Sequence, residues 1–381
     1  LLAGEPLREA PAEPGDEAWL FYTSGTTGRP KGAVLTHRNL LFMTHAYYAD
    51  IDYLGPTDTT LHAAPMSHGS GLYALAFLSK GAHNVIVPGS FEPERIYAAI
   101  ARYPNVSMFA APTMVSRLVN HPIAGSADTR NLKTITYGGA PMYVSDLKRA
   151  LELYGPKLCQ LYGQGESPMT ITGLPKYMHA LTGHPRYEAW LGSTGFARTG
   201  CAFRVVDEGG RDVPPCEIGE IITKSDCVMK GYWNNPEANA KSLRDGWLWT
   251  GDLGAVDADG ILTLKDRSKD MIISGGSNIY PREIEEVLLK HPAVLECSVI
   301  GRPHPDWGEE VLAYVVAKPG TQLDEKTLDR LCLDNIARFK RPRAYHRLEE
   351  LPKSYYGKIL KRELREAVGA EKDSALAERR Q

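Results

Sequence analysis

Metal-binding and redox spacings are missing from this chain of 381 residues. Its six cysteines, at 159, 201, 216, 227, 297 and 332, form no Cys-x-x-Cys pair, and its eleven histidines form no His-Glu-x-x-His signature. A structural zinc site is therefore not expected, and reduced thiols in a cytoplasmic setting are the simplest expectation. An excess of one charge is also missing. Lys and Arg number 44 against 46 Asp and Glu, which removes the electrostatic footprint of a dedicated nucleic-acid binder. The longest apolar runs, Leu72–Leu78 and Val311–Ala317, are seven residues each. Crossing a bilayer takes roughly 20, so no transmembrane helix is expected. Residues 1–15 have no basic stretch leading into an apolar one and do not read as a secretory signal. Repeats and low-complexity segments are likewise lacking.

The chain does carry a balanced globular composition, 43% hydrophobic and 24% charged. Its length exceeds what one hydrophobic core usually supports, so at least two domains are expected. From about residue 17 to 170, β-rich runs (Trp19–Tyr22, Asn84–Val87, Val106–Ala110, Lys133–Tyr137) alternate with helical patterns (Asn39–Ala49, Pro93–Tyr103, Thr113–Asn120). Such alternation argues for an α/β layer with a largely parallel sheet. After about 190 the short strands Phe203–Asp207, Glu220–Lys224 and Ile261–Lys265 are divided by Gly, Pro and Asp turns, which suggests an antiparallel β subdomain. Beyond the polar junction Asp266–Asp270, the pattern reads as a small α+β domain. It has a helix over Pro281–Lys290, strands Leu295–Ile300 and Val311–Ala317 joined by a Pro-rich loop Gly301–Glu310, and a helix over Asp324–Ala337. The expected division is 1–266, with its β-rich part at about 190–266, and 267–381.

The densest chemical signal is Tyr22-Thr23-Ser24-Gly25-Thr26-Thr27-Gly28-Arg29-Pro30-Lys31-Gly32. Glycines let backbone N–H groups converge on an anion, hydroxyls donate further hydrogen bonds, and the lysine adds a mobile positive charge. The stretch is suited to phosphate. It is not a Walker A loop, because Pro30 stands where the second glycine should be.

This string resembles the phosphate-binding loop of the adenylate-forming superfamily of acyl- and aryl-CoA synthetases, nonribosomal adenylation domains and luciferases. Further landmarks of that family follow in order. They are Ala64–Leu72 with its histidine, Tyr137-Gly138-Gly139-Ala140-Pro141, Leu161-Tyr162-Gly163-Gln164-Gly165-Glu166, Val228–Trp233, Trp249–Leu253, Asp266–Asp270 with Ser274–Tyr280, and Gly357-Lys358-Ile359-Leu360.

The resemblance implies a carboxylic acid–CoA ligase of fatty acid or aromatic acid metabolism that uses ATP, Mg²⁺ and coenzyme A and passes through acyl-AMP. It implies nucleotide contacts from Thr23, Ser24, Gly25, Thr26, Thr27, Gly28, Lys31, Gly138, Gly139, Ala140, Tyr162, Gly163, Asp252, Arg267 and Lys358. Glu166 with Thr23 would hold the metal, and Glu166, Thr26 and Lys358 would be catalytic. Tyr162 would stack on adenine, and Asp252 would accept the ribose hydroxyls. His68, Gly69, Gly139, Gln164, Gly165 and Met169 would line the acyl pocket. Gly275 and Gly276 would pass the pantetheine of CoA, and Lys269 would be the hinge of a mobile C-terminal domain.

Three departures from the family pattern stand out. Gly165 replaces the usual hydroxyl residue before the glutamate, Tyr356 replaces a small hydroxyl residue before the Gly-Lys pair, and about the first 150 residues of a usual member, which supply strands to the large subdomains, are lacking. Unpaired sheet edges and exposed apolar faces are expected to follow. The implied partners are a small-molecule carboxylic acid and CoA, with a homodimer left open. Two rival readings stay open: a stand-alone enzyme that loads a carrier protein, and a nucleotide-binding fragment without catalysis.

Overall fold

The computed structural model describes residues 10–23, 30–140, 142–354 and 359–368. The strand–helix alternation builds a seven-stranded sheet. Its order is His83–Ile86, Thr59–His62, Val106–Ala110, Leu132–Tyr137, Leu158–Gln164, Ser167–Leu174 and Phe196–Ala197. The first five strands are parallel and the last two antiparallel. Val106–Ala110 is buried at every position, as a strand covered on both faces must be. The helices Pro93–Arg102, Pro112–Val119 and Val144–Tyr154 each bury one stripe of side chains on this layer.

A three-stranded sheet pairs Glu17–Thr23 with Lys31–Thr36, and the latter with Gly231–Tyr232. The helix His37–Asp50 follows directly, opened by a capping box between Thr36 and Asn39. Asn39 also donates to the carbonyls of Asp226 and Val228, at 2.7 and 2.9 Å. One side chain thus ends the phosphate-loop hairpin and anchors the segment leading to Tyr232. The expected antiparallel subdomain is present as Ala202–Val206, Gly219–Lys224, Trp247–Val256, Leu243–Arg244 and Leu262–Arg267.

After the turn 268–270, a second sheet contains Ile272–Ser274, Ser277–Ile279, Val294–His304 and Gly308–Ala317, with Ala344–Leu348 parallel to the last. Gly301–Glu310 is not the loop expected from its prolines. The ladder continues to His304↔Gly308, so the two strands meet in a tight hairpin closed by Gly308 at φ +76°. Proline removes a donor, and at the outer end of a hairpin that loss is small. The helices Pro281–Leu288 and Glu325–Asn335 share this sheet's apolar core.

Hydrogen bonds from Tyr143 to Glu285 and from the Arg282 N–H to Asp266 cross between the two parts, beside ion pairs internal to the C-terminal part. Glu285, 4% exposed, pairs with Lys361 at 2.9 Å and accepts from the Val299 N–H and the Tyr143 hydroxyl. Asp270 pairs with Arg365 at 2.8 Å, and the Arg282 N–H donates to Asp266. Burial is the largest influence on the Asp266 carboxyl and raises its pKa, and the neighbouring Glu285 adds to this.

Exposed edges are present. His83–Ile86 ends the large sheet with Ile86 outward, and Glu17–Thr23 is an edge strand that turns Leu20 and Tyr22 to solvent. Among the described residues, no helix is long and apolar enough to cross a membrane.

Candidate active site

Glu166 sits at the tip of the hairpin formed by Leu158–Gln164 and Ser167–Leu174. It is 8% exposed. Its Oε1 accepts from Thr23 Oγ1 at 3.0 Å and from the Tyr232 hydroxyl at 2.7 Å, and its carbonyl accepts from the Met229 N–H at 2.8 Å. Burial, with the Glu166 charge beside it, raises the Tyr232 phenol's pKa, so it stays a donor. Lys31 Nζ lies 5.0 Å from the centre of the same tyrosine ring. Thr23 and Lys31 are also the last pair of their ladder. The two described ends of the phosphate loop therefore converge beside Glu166. Ser24, Gly25, Thr26, Thr27 and Gly28 lie outside the described residues.

The Gly165 position shows how this packing is achieved. A Cβ there would lie 2.4 Å from the Thr23 methyl and 2.7 Å from the Phe21 ring. The room that a side chain would fill is taken by the strand that carries Thr23, which brings the Thr23 hydroxyl onto Glu166.

Asp252 forms a second polar centre, 7% exposed. Its Oδ2 accepts from the Tyr162 hydroxyl at 2.9 Å and from Gln164 Nε2 at 2.6 Å, and its Oδ1 faces Arg267 Nε at 3.3 Å. Arg267 is its register partner on the adjacent strand. Burial, reinforced by the Asp252 charge, pushes the Tyr162 phenol's pKa well up and keeps its proton in place. The Tyr162 ring is packed with Ile171, Val205, Ile221 and Leu262. Its hydroxyl orients the carboxylate, a role that the motif alone did not suggest.

Gln164, expected at the acyl pocket, directs its amide to Asp252 and to the Thr250 carbonyl at 2.9 Å. The ladder is irregular between Tyr162 and Gln164, and both side chains reach Asp252.

The glycine turn after Leu132–Tyr137 is dictated by close approach. A Cβ at Gly138 would meet the Leu161 carbonyl oxygen at 2.4 Å, and Gly139 has φ +83°. Gly163 is equally confined, by the Met169 N–H at 2.5 Å. Ala140 follows this turn, but Pro141 lies outside the described residues.

On the far side of the hairpin, His68 precedes the helix Gly69–Leu78 and stacks on Phe21 at 5.2 Å and 22°. A Cβ at Gly69 would lie 2.8 Å from Met169 Cε and 2.9 Å from Phe109 Cε1, and one at Gly139 would lie 3.9 Å from Phe109 Cζ. Phe109 thus lies beside two of the expected acyl-pocket residues, Gly69 and Gly139. The motifs did not reveal it, because it is an ordinary core residue of a buried strand until the fold brings those glycines to it.

Gly275 and Gly276 form the turn between Ile272–Ser274 and Ser277–Ile279, at φ +55° and +78°, with open space where their Cβ atoms would be. Lys269 is exposed in the turn 268–270, beside Ser268, whose N–H and hydroxyl both bond the Gly251 carbonyl. Lys358 and Tyr356 lie outside the described residues.

The AMP-binding enzyme family matches residues 3–233, and the AMP-binding enzyme C-terminal domain matches residues 283–358. A feruloyl-CoA synthase from Amycolatopsis is 39% identical over 356 residues, covering 93% of this chain and 70% of that protein. A long-chain-fatty-acid–CoA ligase from Bacillus subtilis is 39% identical over 360 residues, covering 92% of this chain and 62% of the ligase. ATP-bound MatB from Rhodopseudomonas palustris superposes with a TM-score of 0.86 at 33% identity, over 96% of this chain and 71% of its own. The apo form of that protein gives 0.72 at the same identity and coverage. These matches and the two polar centres agree: the chain belongs to the AMP-binding, adenylate-forming enzyme family, among the acyl- and aryl-CoA ligases.

Proposed function

We propose that this protein joins a carboxylic acid to ATP as acyl-AMP, releasing pyrophosphate, and then transfers the acyl group to the thiol of CoA with release of AMP. The observation that carries this reading is Glu166, a buried carboxylate whose hydrogen-bond donors are the uncharged hydroxyls of Thr23 and Tyr232. This carboxylate stands where both described ends of the phosphate loop meet. Mg²⁺ suits this donor set, because in nucleotide sites it uses one or two carboxylates plus phosphate oxygens. Glu166 and Thr23 would hold the ion, which would neutralise phosphate charge as the acid approaches.

Asp252, oriented by Tyr162 and Gln164, accepts the ribose hydroxyls and sets the position of the α-phosphate. Lys31 and the loop hydroxyls bind the β- and γ-phosphates. Lys358 stabilises the charge that builds as the carboxylate meets phosphorus. Lys269 is the pivot on which the C-terminal part, residues 267–381, turns between the two half-reactions. Gly275 and Gly276 present an uncrowded turn to pantetheine. Support for a nucleotide-loaded arrangement comes from the closer superposition on the ATP-bound neighbour than on its apo form. The acid is a fatty or an aromatic one.

Exchange of labelled pyrophosphate into ATP, measured with a panel of acids, tests the reading. Lys358→Ala should abolish exchange and spare thioester formation from preformed acyl-AMP. Equal loss of both half-reactions would show that Lys358 is structural. Lys269→Pro should separate the half-reactions, and wild-type rates in both would remove the pivot.

A further inference from the structure

We infer that the acyl pocket is shallow and accepts a compact acid, an aromatic one fitting best, and that Phe109 and Met169 set its depth. This rests on the proposed acyl-AMP chemistry and narrows its substrate class.

Gly69, Phe109 and Met169 come from three different elements and close on one another. The Met169 thioether and the Phe109 ring edge reach so near Gly69 that even a methyl group there would overlap both, at 2.8 and 2.9 Å. Phe109 is 9% exposed and Met169 6%. The same apolar cluster holds Tyr73, Tyr47 and Phe77, with Tyr47 edge-on to both others at 4.9 and 5.5 Å. A long alkyl chain gains from burying its CH₂ groups only where a channel exists. Here its distal carbons would have to displace packed aromatic rings.

Met169 is not a loose plug. Its backbone lies in the left-handed region, at φ +63°, a conformation that persists only where the surroundings impose it. Its carbonyl accepts from Arg198 Nη1 at 3.0 Å. Arg198, itself 5% exposed, is fixed by Asp50 at 2.9 Å and by the Ala46 carbonyl at 2.7 Å. Arg198 is thus a positioning residue for the pocket floor. Nearer the helix start, the parallel rings of His68 and Phe21 offer a flat aromatic face, which suits a planar ring better than a coiled chain.

The test is pyrophosphate exchange with benzoate, cinnamate, hexanoate and hexadecanoate. The wild-type protein should favour the compact acids over hexadecanoate by roughly 100-fold in kcat/KM. Met169→Gly retains the left-handed backbone and removes the side chain, and it should raise hexadecanoate turnover about 10-fold. If that variant fails to fold, as judged by loss of ATP binding, Phe109→Leu gives the same readout. Exchange with hexadecanoate equal to or above that with the compact acids would overturn this inference and leave the ligase reading intact. Exchange with no acid, in protein that still binds ATP, would overturn both.

Discussion

Two groups of buried carboxylates occupy this protein, and they are held by opposite means. Among the described residues, Glu166 and Asp252 take their close hydrogen bonds from the uncharged Thr23, Tyr232, Tyr162 and Gln164, with Arg267 facing Asp252 at 3.3 Å. Within the C-terminal part, Glu285 and Asp270 are paired with Lys361 and Arg365 within 3 Å. A carboxylate oriented by neutral donors keeps its charge for something that arrives later, whereas one paired with a cation has committed its charge to the fold. The difference teaches where to look for a ligand site and where to look for a structural lock.

Removing one partner of the Glu285–Lys361 pair should have the largest effect. Glu285→Ala leaves Lys361 buried beside Asp266 without its main partner and should cost about 3–5 kcal/mol of unfolding free energy in urea titration. ATP affinity measured by calorimetry under native conditions should be unchanged. A neutral outcome in urea would mean that the pair is solvated and the contrast is false.

Asp252→Ala comes next. Two charge-assisted hydrogen bonds to ribose hydroxyls predict a loss on the order of 100-fold in affinity for both ATP and AMP. Reduced ATP affinity with AMP untouched would remove Asp252 from the ribose.

A third way to bury an ionisable group is to keep it neutral, and His179 does this. Its Nε2 faces the Tyr137 hydroxyl at 2.9 Å and its Nδ1 the Pro175 carbonyl at 3.0 Å, while burial lowers its pKa to about 4. Between pH 6.5 and 4 the unfolded chain binds a proton that the folded chain refuses, so stability falls as pH falls through that window. The loss should reach about 2 kcal/mol at pH 5. Denaturation at pH 7 and pH 5 should show it in the wild type, with a flatter response in His179→Gln. Equal slopes in the two proteins would place the pH dependence elsewhere.

Much of the site was legible because its parts are local strings. The phosphate loop, the Tyr-Gly…Glu turn and the Thr-Gly-Asp turn each carry their chemistry within a few residues. The strand Val106–Ala110 was also plain, as a short β-rich run between turn signals. Side-chain direction was not legible. Gln164 belongs with Asp252, 88 residues away, and no local pattern encodes that meeting. Phe109 and Arg198 were hidden for the same reason, since each matters through what the fold places beside it. Lys31–Thr36 and Trp247–Val256 went unrecognised as strands because glycine and polar residues interrupt their apolar pattern.

The filled space at Gly165 has a consequence for how this chain can change. In the family pattern a hydroxyl residue stands there, but here the first atom of any side chain would strike the Thr23 methyl and the Phe21 ring. Reverting Gly165 alone would push the edge strand away from Glu166 and break the Thr23 hydrogen bond, while shrinking Phe21 first would open the room. The order of substitutions therefore matters, because Phe21 and Thr23 set the room at position 165.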